Sequence, residues 1–289
     1  MSQKVNQLTL LSPEGAFLLC NGSERVMVIS DLHIGWEVAL VEEGIHVPSQ
    51  TRRLFERLKG LLSSEKPDRL IILGDVKHTV SKIDLEEWRD VPWFFEETCK
   101  IVPKVQVVPG NHDGDLEALL PEHVELLSPR GITVGDIGLF HGHTWPEVQM
   151  LGCSTLVAGH VHPVVVFSDP MGFRIMRQVW VRAPCDKMLL AKSVLKGNNV
   201  TVKKDEEPQN VLKSKFKTEL KAETFLIMPS FNDYLGGQAV NVSSIPKRKK
   251  FEGFIGPVLR SGSVNLDKAE TYLLDGIFLG SIEHLRKLS

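Results

Sequence analysis

The sequence has little of several features that would assign it to a common class. Its 289 residues include four cysteines, which lie far apart and form no C-x-x-C pair, so they indicate neither a zinc ribbon nor a disulfide framework. A formal charge of -2 and a pI near 6.6 give no overall basic character of the kind that dedicated nucleic-acid-binding proteins often have. Any binding to phosphate must therefore be local.

Long apolar runs are also missing. No stretch approaches the ~20 apolar residues of a membrane span, and the first apolar run, residues 16–20, is too short for the core of a signal peptide. We therefore expect a soluble, cytoplasmic protein without a membrane partner. The hydrophobic fraction of 42% suits a well-buried core, and 289 residues suffice for one large domain or two small ones.

The first half of the chain alternates between strand and helix patterns. Leucines at helical spacing predict a helix that Ser49 caps and Pro67 ends, and a second helix is expected over residues 85–99. This order of strand, helix and strand favours parallel strands with right-handed crossovers. The predicted strands are residues 25–30, 69–73 and 105–108.

After residue 120 the pattern changes to short strands separated by hairpin signals, so we expect two stacked sheets with helices on their outer faces. Residues 196–221 are charged and poor in apolar side chains, which predicts a flexible loop. Residues 222–289 read mostly as short strands that would form a marginal core alone. We therefore expect them to be a β-rich completion of a single domain, residues 1–289.

Five short islands of possible metal ligands follow the predicted strands, where an α/β sheet presents its ligand-binding loops. Each island alone is also typical of a turn or a helix cap, whereas five in one order indicate a metal centre. Carboxylate oxygen, amide oxygen and imidazole nitrogen together suit manganese, iron, zinc, cobalt or nickel. In chain order the islands are Asp31-Leu32-His33, Gly74-Asp75, Gly110-Asn111-His112-Asp113, His141-Gly142-His143 and Gly159-His160-Val161-His162.

Spacing leaves several assignments open. Either His141 or His143 can be the metal ligand, and we favour His141, with His143 beside it or in contact with substrate phosphate. Lys77 and His78 follow the second island and either reach substrate phosphate or lie in a solvated loop. The basic run at residues 247–250 either follows a nucleic-acid backbone or is a solvated surface loop.

The islands resemble the pattern of the calcineurin-like metallophosphoesterase superfamily, which is D-x-H, G-D, G-N-H-[DE], H-G or G-H, and G-H-x-H. Further stretches are similar to the SbcD-related phosphoesterases of archaea and to the DNA-ligase-associated phosphoesterases. These stretches are residues 31–37, 43–48, 74–78 and 228–237. The resemblance implies an α/β fold, a four-layer α-β-β-α sandwich of two mixed sheets flanked by helices.

The resemblance also implies a site of two divalent metal ions, for which manganese is our first choice. A hydroxide activated by the two ions would attack phosphorus. We assign His112 as the general acid that protonates the leaving group, with Asp113 orienting its ring. The implied ligands are Asp31, His33 and His162 for the first ion, Asp75 as the bridge, and Asn111, His141 and His160 for the second ion.

The function implied is that of a metal-dependent phosphoesterase, specifically a phosphodiesterase that hydrolyses nucleotide or nucleic-acid phosphate esters. One alternative is an SbcD-like DNA repair nuclease that associates with DNA repair proteins. The other is a non-catalytic scaffold with the same fold. Scaffold members of the superfamily usually lose ligands, whereas this chain retains all of them, so we rank the scaffold last. The sequence predicts no particular oligomeric state.

Overall fold

Two β-sheets stack between two sets of helices in a computed structural model of the protein, which describes residues 7–42, 44–80, 82–168, 171–203, 205–242 and 255–288. The predicted basic run at residues 247–250 lies outside the described residues. None of the helices in the described ranges is long and apolar enough to cross a membrane.

The first sheet contains six strands in chain order. Strands β1 to β3 pair antiparallel, and β3 to β6 pair parallel. Helices α1 (Glu37–Glu42) and α2 (Thr51–Glu65) connect β3 to β4, and α3 (Leu85–Cys99) connects β4 to β5. The sequence pattern predicts α2 and α3, whereas α1 was not predicted. The strands are β1 (Gln7–Leu10), β2 (Ala16–Asn21), β3 (Glu24–Ile29), β4 (Arg69–Leu73), β5 (Lys104–Val108) and β6 (Val124–Leu126).

The second sheet contains nine strands, in the order β13-β10-β11-β12-β9-β8-β7, with β14 paired to β11 and β15 paired to β14. Its strands are β7 (Ile132–Val134), β8 (Ile137–Phe140), β9 (Thr155–Ala158), β10 (Pro163–Ser168), β11 (Arg174–Pro184), β12 (Thr224–Ile227), β13 (Gln238–Ala239), β14 (Glu270–Leu273) and β15 (Phe278–Ser281). The helices of this half are α4 (Lys187–Gly197), α5 (Pro208–Phe216), α6 (Pro257–Arg260) and α7 (Ile282–Lys287).

The C-terminal part of the chain completes the second sheet. Strand β12 lies between β9, to which it is parallel, and β11, to which it is antiparallel. The organisation of residues 1–289 as a single domain stays a prediction, and this insertion of β12 supports it.

Side chains alternate between two apolar layers along the central strands. Val26 and Val28 of β3 pack between the sheets, against residues that include Trp180, whereas Met27 and Ile29 pack in the cluster that contains residues of α2 and α3. A third apolar cluster joins the second sheet to α4 and α5. Because residues 26–29 of β3 are buried on both faces, this part of the strand is continuously apolar. These layers confirm the predicted four-layer sandwich.

Two local predictions differ from the structure. The flexible loop expected over residues 196–221 contains helix α5, which begins at Pro208 and buries Val211 and Leu212. The prediction was wrong because the many lysines of this segment outnumber the few apolar residues that form the buried face of α5. The other difference concerns Ser49, because the N-cap of α2 is Gln50 and the Ser49 hydroxyl instead donates to Asp90 Oδ2 at 2.5 Å.

Candidate metal centre

The predicted ligands follow the carboxyl ends of β3, β4, β5, β8 and β9, and contacts between the sheets bring them together. His162 Nε2 lies 3.1 Å from Asp31 Oδ1. His141 Nε2 lies 3.3 Å from Asp75 Oδ2. In both pairs the carboxylate follows a strand of the first sheet and the imidazole follows a strand of the second, so the site lies where the two sheets meet.

Two groups of ligand atoms share one carboxylate. In the first group, the ligand atoms of Asp31, His33, Asp75 and His162 all lie within 4.8 Å of one another. In the second group, the same holds for Asp75, His141 and His160. Asn111 adds an amide oxygen to the second group, since its Oδ1 lies 3.3 Å from His141 Nε2. The division coincides with the assignment that the resemblance implies.

Two buried imidazole nitrogens without a hydrogen-bond partner indicate that these residues fit a cation. His33 Nε2 and His162 Nε2 are buried and make no hydrogen bond within the described part of the chain, although carboxylate oxygens lie near them. Asp31 and Asp75 are themselves buried. Buried polar groups are normally hydrogen-bonded, so this concentration of unused donors and acceptors needs a partner, and a borderline divalent cation matches the ligand set.

The charges of the cluster also suit a cation. Burial acts to raise the pKa of Asp31 and Asp75, but the adjacent imidazoles outweigh it and hold both pKa values below their usual range. Burial acts to lower the pKa of His141, yet the two carboxylates raise it to about 9. Burial, together with His141, lowers the pKa of His143 and of His160 to about 4. Ionised carboxylates and neutral imidazoles are the forms that bind metal ions, so Asp31, Asp75 and His160 are already in the binding form. His141 and His162, whose pKa values the carboxylates raise, would each have to release a proton when a cation binds.

Most of the predicted ligands have a left-handed backbone. Non-glycine residues with positive φ are uncommon, and such strain concentrates at functional sites. Backbone hydrogen bonds hold the conformation here, because Asp31 N donates to Gly74 O at 3.0 Å and His33 N donates to Asp75 O at 2.8 Å. The five left-handed ligands, with φ between 44° and 67°, are Asp31, His33, Asp75, His160 and His162.

Three glycines of the islands leave room for ligands from neighbouring strands. A Cβ atom at Gly74 would lie 2.5 Å from His141 Nδ1, and one at Gly159 would lie 2.6 Å from Asp31 Oδ2. A Cβ at Gly110 would overlap Asp75 Oδ1. These three positions therefore require glycine, because ligand side chains lie directly against the backbone there.

The geometry supports His141 rather than His143 as the ligand, which stays a proposal. His141 is fully buried, and its Nδ1 lies 2.8 Å from the carbonyl oxygen of Leu73. Since a carbonyl only accepts hydrogen bonds, Nδ1 carries a proton and Nε2 faces Asp75 and Asn111. The His143 ring is half-buried beside it, with the two ring centroids 5.2 Å apart.

His112 and His78 lie beside the first ligand group. His112 N donates to Asp75 Oδ1 at 2.9 Å, and its Nδ1 donates to the carbonyl oxygen of His78. His78 Nδ1 lies 3.2 Å from His33 Nδ1. Burial and the nearby His33 and His112 lower the pKa of His78 to about 4. His78 thus positions two other imidazoles, and its predicted contact with substrate phosphate stays a prediction.

Two predicted roles are contradicted. Asp113 does not orient His112, because its carboxylate accepts hydrogen bonds from the backbone amides of Val76 at 2.8 Å and Gly110 at 2.7 Å. It therefore braces the loops that carry the second and third islands. Lys77 is fully buried and its Nζ donates to the carbonyl oxygen of Thr79, so it does not extend toward substrate phosphate.

Glu87 supports the site and was not predicted. Its Oε1 accepts hydrogen bonds from His78 N at 3.0 Å and Thr79 N at 2.7 Å, and its Oε2 accepts one from Asp84 N at 3.0 Å. The sequence pattern that could have identified Glu87 is a capping box, in which Asp84 is the N-cap of α3 and Glu87 follows three residues later. Through His78, this carboxylate reaches the peptide that orients His112.

Asn232 also supports the site from the C-terminal part. Its Nδ2 donates to Leu32 O at 2.9 Å, and the residue is fully buried. Phe231 N donates to Ser30 O at 2.8 Å, so the segment runs along the turn that carries the first island. Both residues lie in the stretch 228–237, which the sequence singled out without giving it a role.

Comparisons with known proteins identify a family and a shared fold. Residues 24–169 match the sequence model of the calcineurin-like phosphoesterase family. The crystal structure of Pseudomonas putida nuclease MPE aligns over 95% of this chain and 96% of that chain, with a TM-score of 0.52 and 18% identity, which shows a shared fold. The E. coli phosphoesterase Yfce aligns over 50% of this chain and 73% of that chain, with a TM-score of 0.32 and 23% identity.

A search of curated proteins finds none that matches. The family match spans half of the chain and contains all seven predicted ligands. This protein therefore belongs to the calcineurin-like phosphoesterase family of hydrolases, which use a dinuclear divalent metal centre.

Proposed function

We propose that the protein is a metal-dependent phosphodiesterase that hydrolyses phosphate esters of nucleotides or nucleic acid. The observation that carries the proposal is the position of Asp75, whose carboxylate belongs to both ligand groups and so joins two candidate cation sites. Membership of the family supports hydrolysis of a phosphate ester. The preference for nucleotide or nucleic-acid esters is supported by the resemblance to SbcD-related and DNA-ligase-associated phosphoesterases.

We propose manganese as the resident metal, with iron, zinc, cobalt and nickel also compatible with the ligand types. When bound, two divalent cations lower the pKa of a water molecule and neutralise the charge that develops on the phosphoryl oxygens. The residues that would hold them are Asp31, His33 and His162 on one side, Asn111, His141 and His160 on the other, and Asp75 between them.

His112 is the residue that we propose as general acid. The hydrogen bond from its Nδ1 to the carbonyl oxygen of His78 fixes the ring and leaves Nε2 to protonate the oxygen of the leaving group. The hydrogen bond from His112 N to Asp75 Oδ1 fixes its backbone beside the shared carboxylate. We also propose that His143 contacts the phosphate of the substrate, which is supported by its ring lying 5.2 Å from that of His141 and 6.2 Å from that of His160, between centroids.

The proposal is tested with a panel of esters and manganese-loaded protein. We expect hydrolysis of bis-p-nitrophenyl phosphate, and of at least one natural diester among 2′,3′-cyclic nucleotides, single-stranded DNA and double-stranded DNA. p-Nitrophenyl phosphate, a monoester, should be a poorer substrate. An Asp75→Asn variant serves as the inactive control. Hydrolysis of none of these esters by metal-replete protein would overturn the proposal and favour a non-catalytic scaffold.

A DNA repair nuclease, associated with DNA repair proteins, is the second candidate. It is favoured by the likeness in fold to a nuclease over nearly the whole of both chains. The DNA substrates in the same panel separate the two candidates, because a nuclease should cleave DNA faster than it hydrolyses small nucleotide diesters. The location in the cytoplasm stays a prediction.

A further inference from the structure

We infer that Trp36 and Tyr234 form an aromatic shelf beside the metal centre, on which a nucleobase of the substrate stacks. The inference rests on the proposed function, because the shelf would serve the substrate of the same site. The two ring centroids lie 5.7 Å apart and the ring planes differ by 31°. They come from opposite parts of the chain and meet only in the folded protein.

Both aromatic residues are tied to the turn that carries the first island. Trp36 N donates to His33 O at 3.1 Å, which closes a turn and keeps the two Cα atoms within about 7 Å of each other. Tyr234 N donates to Asn232 Oδ1 at 3.1 Å, and Asn232 Nδ2 donates to Leu32 O. A nucleoside joined to a phosphate at the metal centre, or the next nucleoside along a strand, can reach this shelf.

The shelf is exposed and held in place. Tyr234 is 55% exposed, and Trp36 is half-buried. The Arg53 guanidinium lies 4.1 Å from the centroid of the Tyr234 ring and donates to Asp233 from both terminal nitrogens, at 3.2 and 2.6 Å. A ring that is already fixed loses little freedom when a ligand stacks on it.

The chemistry of the shelf favours a base over a phosphate. The charge of Arg53 is paired with Asp233, and Arg57 donates to the same carboxylate at 2.7 Å. The Arg53 guanidinium covers one face of the Tyr234 ring, so a base would stack on the exposed surface of the shelf that Arg53 leaves free. Both neighbouring arginines are already engaged by a carboxylate. Every nucleobase has a flat π face, so stacking would add affinity for nucleotides without demanding a particular sequence.

The test compares two fluorescein-labelled oligonucleotides of equal backbone charge, a thymidine tetranucleotide and an abasic tetranucleotide. Dissociation constants are measured by fluorescence anisotropy with the full chain in EDTA. Inhibition constants are measured with the manganese-loaded chain, by competition against bis-p-nitrophenyl phosphate. We expect the thymidine oligonucleotide to bind about tenfold more tightly than the abasic one, as a single stacked base would give. Tyr234→Leu should remove most of this preference, and Tyr234→Phe should retain it.

A matched control is Phe278→Leu, which removes another exposed aromatic ring, from the hairpin of β14 and β15. It should keep the wild-type preference. The inference would be overturned by equal affinities for the two oligonucleotides or by a preference that survives Tyr234→Leu. It would also be overturned if neither oligonucleotide bound in either assay. Hydrolysis of bis-p-nitrophenyl phosphate by the wild-type chain reports on the proposed function separately, and if it is absent the anisotropy measurement alone decides the inference.

Discussion

The two sheets contribute different chemistry to the candidate metal centre. The first sheet supplies both carboxylates, the amide oxygen of Asn111 and one imidazole, whereas the second sheet supplies three imidazoles. The negative charge of the site thus comes from one half of the sandwich and most of its nitrogen ligands from the other. Because each ligand group contains residues from both sheets, neither sheet can hold two cations alone.

The two sheets also differ in how their ligands are supported. On the first sheet, backbone hydrogen bonds join Asp31 to Gly74 and His33 to Asp75, so neighbouring loops hold one another. On the second sheet, His141 takes its orientation from the carbonyl oxygen of Leu73, which belongs to the first sheet. Substitutions on the first sheet should therefore disturb the whole site, and those on the second sheet mainly one ligand group.

The largest effect is expected for Asp75→Asn. Loss of the shared charge should lower kcat/KM for bis-p-nitrophenyl phosphate by about a thousandfold or more and reduce binding of both metal ions. Metal content by mass spectrometry and steady-state kinetics measure this. Asp275→Asn, in the exposed turn between β14 and β15, is the matched control. Retention of two ions per chain by Asp75→Asn would contradict the bridging role.

A smaller effect is expected for a ligand of the second sheet. His141→Ala should lower kcat/KM by several hundredfold and remove one of the two ions, because a single ligand group loses its buried imidazole. His143→Ala should keep both ions and raise KM by about tenfold, since it loses at most a contact to phosphate. The same two measurements, made on both variants, decide which histidine is the ligand, and the reverse outcome would exchange their roles.

The effect of removing the general acid should depend on the leaving group of the substrate. His112→Ala should retain both ions and lower kcat by about a hundredfold for substrates with an alkoxide leaving group, such as DNA or a cyclic nucleotide. Bis-p-nitrophenyl phosphate, whose leaving group needs little protonation, should be affected far less. A plot of rate against the pKa of the leaving group measures the difference. An unchanged slope would rule out this role for His112.

The smallest effect is expected for Glu87→Gln, which weakens a brace rather than a ligand. It should lower kcat by about tenfold and leave KM unchanged, because the carboxylate acts on His112 through the backbone of His78. In a His112→Ala background the same substitution should have almost no further effect. Additive losses in the double variant would mean that Glu87 acts by another route.

The strand pattern and the islands predicted the architecture and the neighbourhood of the ligands because both depend on local signals. A buried strand that ends in a ligand places that ligand at the edge of its sheet, and the glycines beside it mark close approach of another strand. The proposal that His141 rather than His143 is the ligand gains its structural support from a contact with Leu73, which is far away in sequence and which no spacing rule could supply.

The errors arose where neighbours in sequence point in different directions. Asp113 follows His112 directly, yet its carboxylate turns to the amides of Val76 and Gly110. Lys77 and His78 are adjacent, yet one is buried against Thr79 and the other lies beside His33. Side-chain direction in a loop depends on the backbone conformation and on tertiary partners, which composition does not reveal.

The hydrogen bond between Asn232 and Leu32 joins residues that are 200 positions apart in the chain. During synthesis, all the predicted ligands leave the ribosome before the segment that clamps the first of them. Closing so large a loop costs more conformational entropy than forming a local contact. Hydrolytic activity should thus arise only after translation has passed residue 232, so an incompletely made chain would carry the ligands without the assembled site.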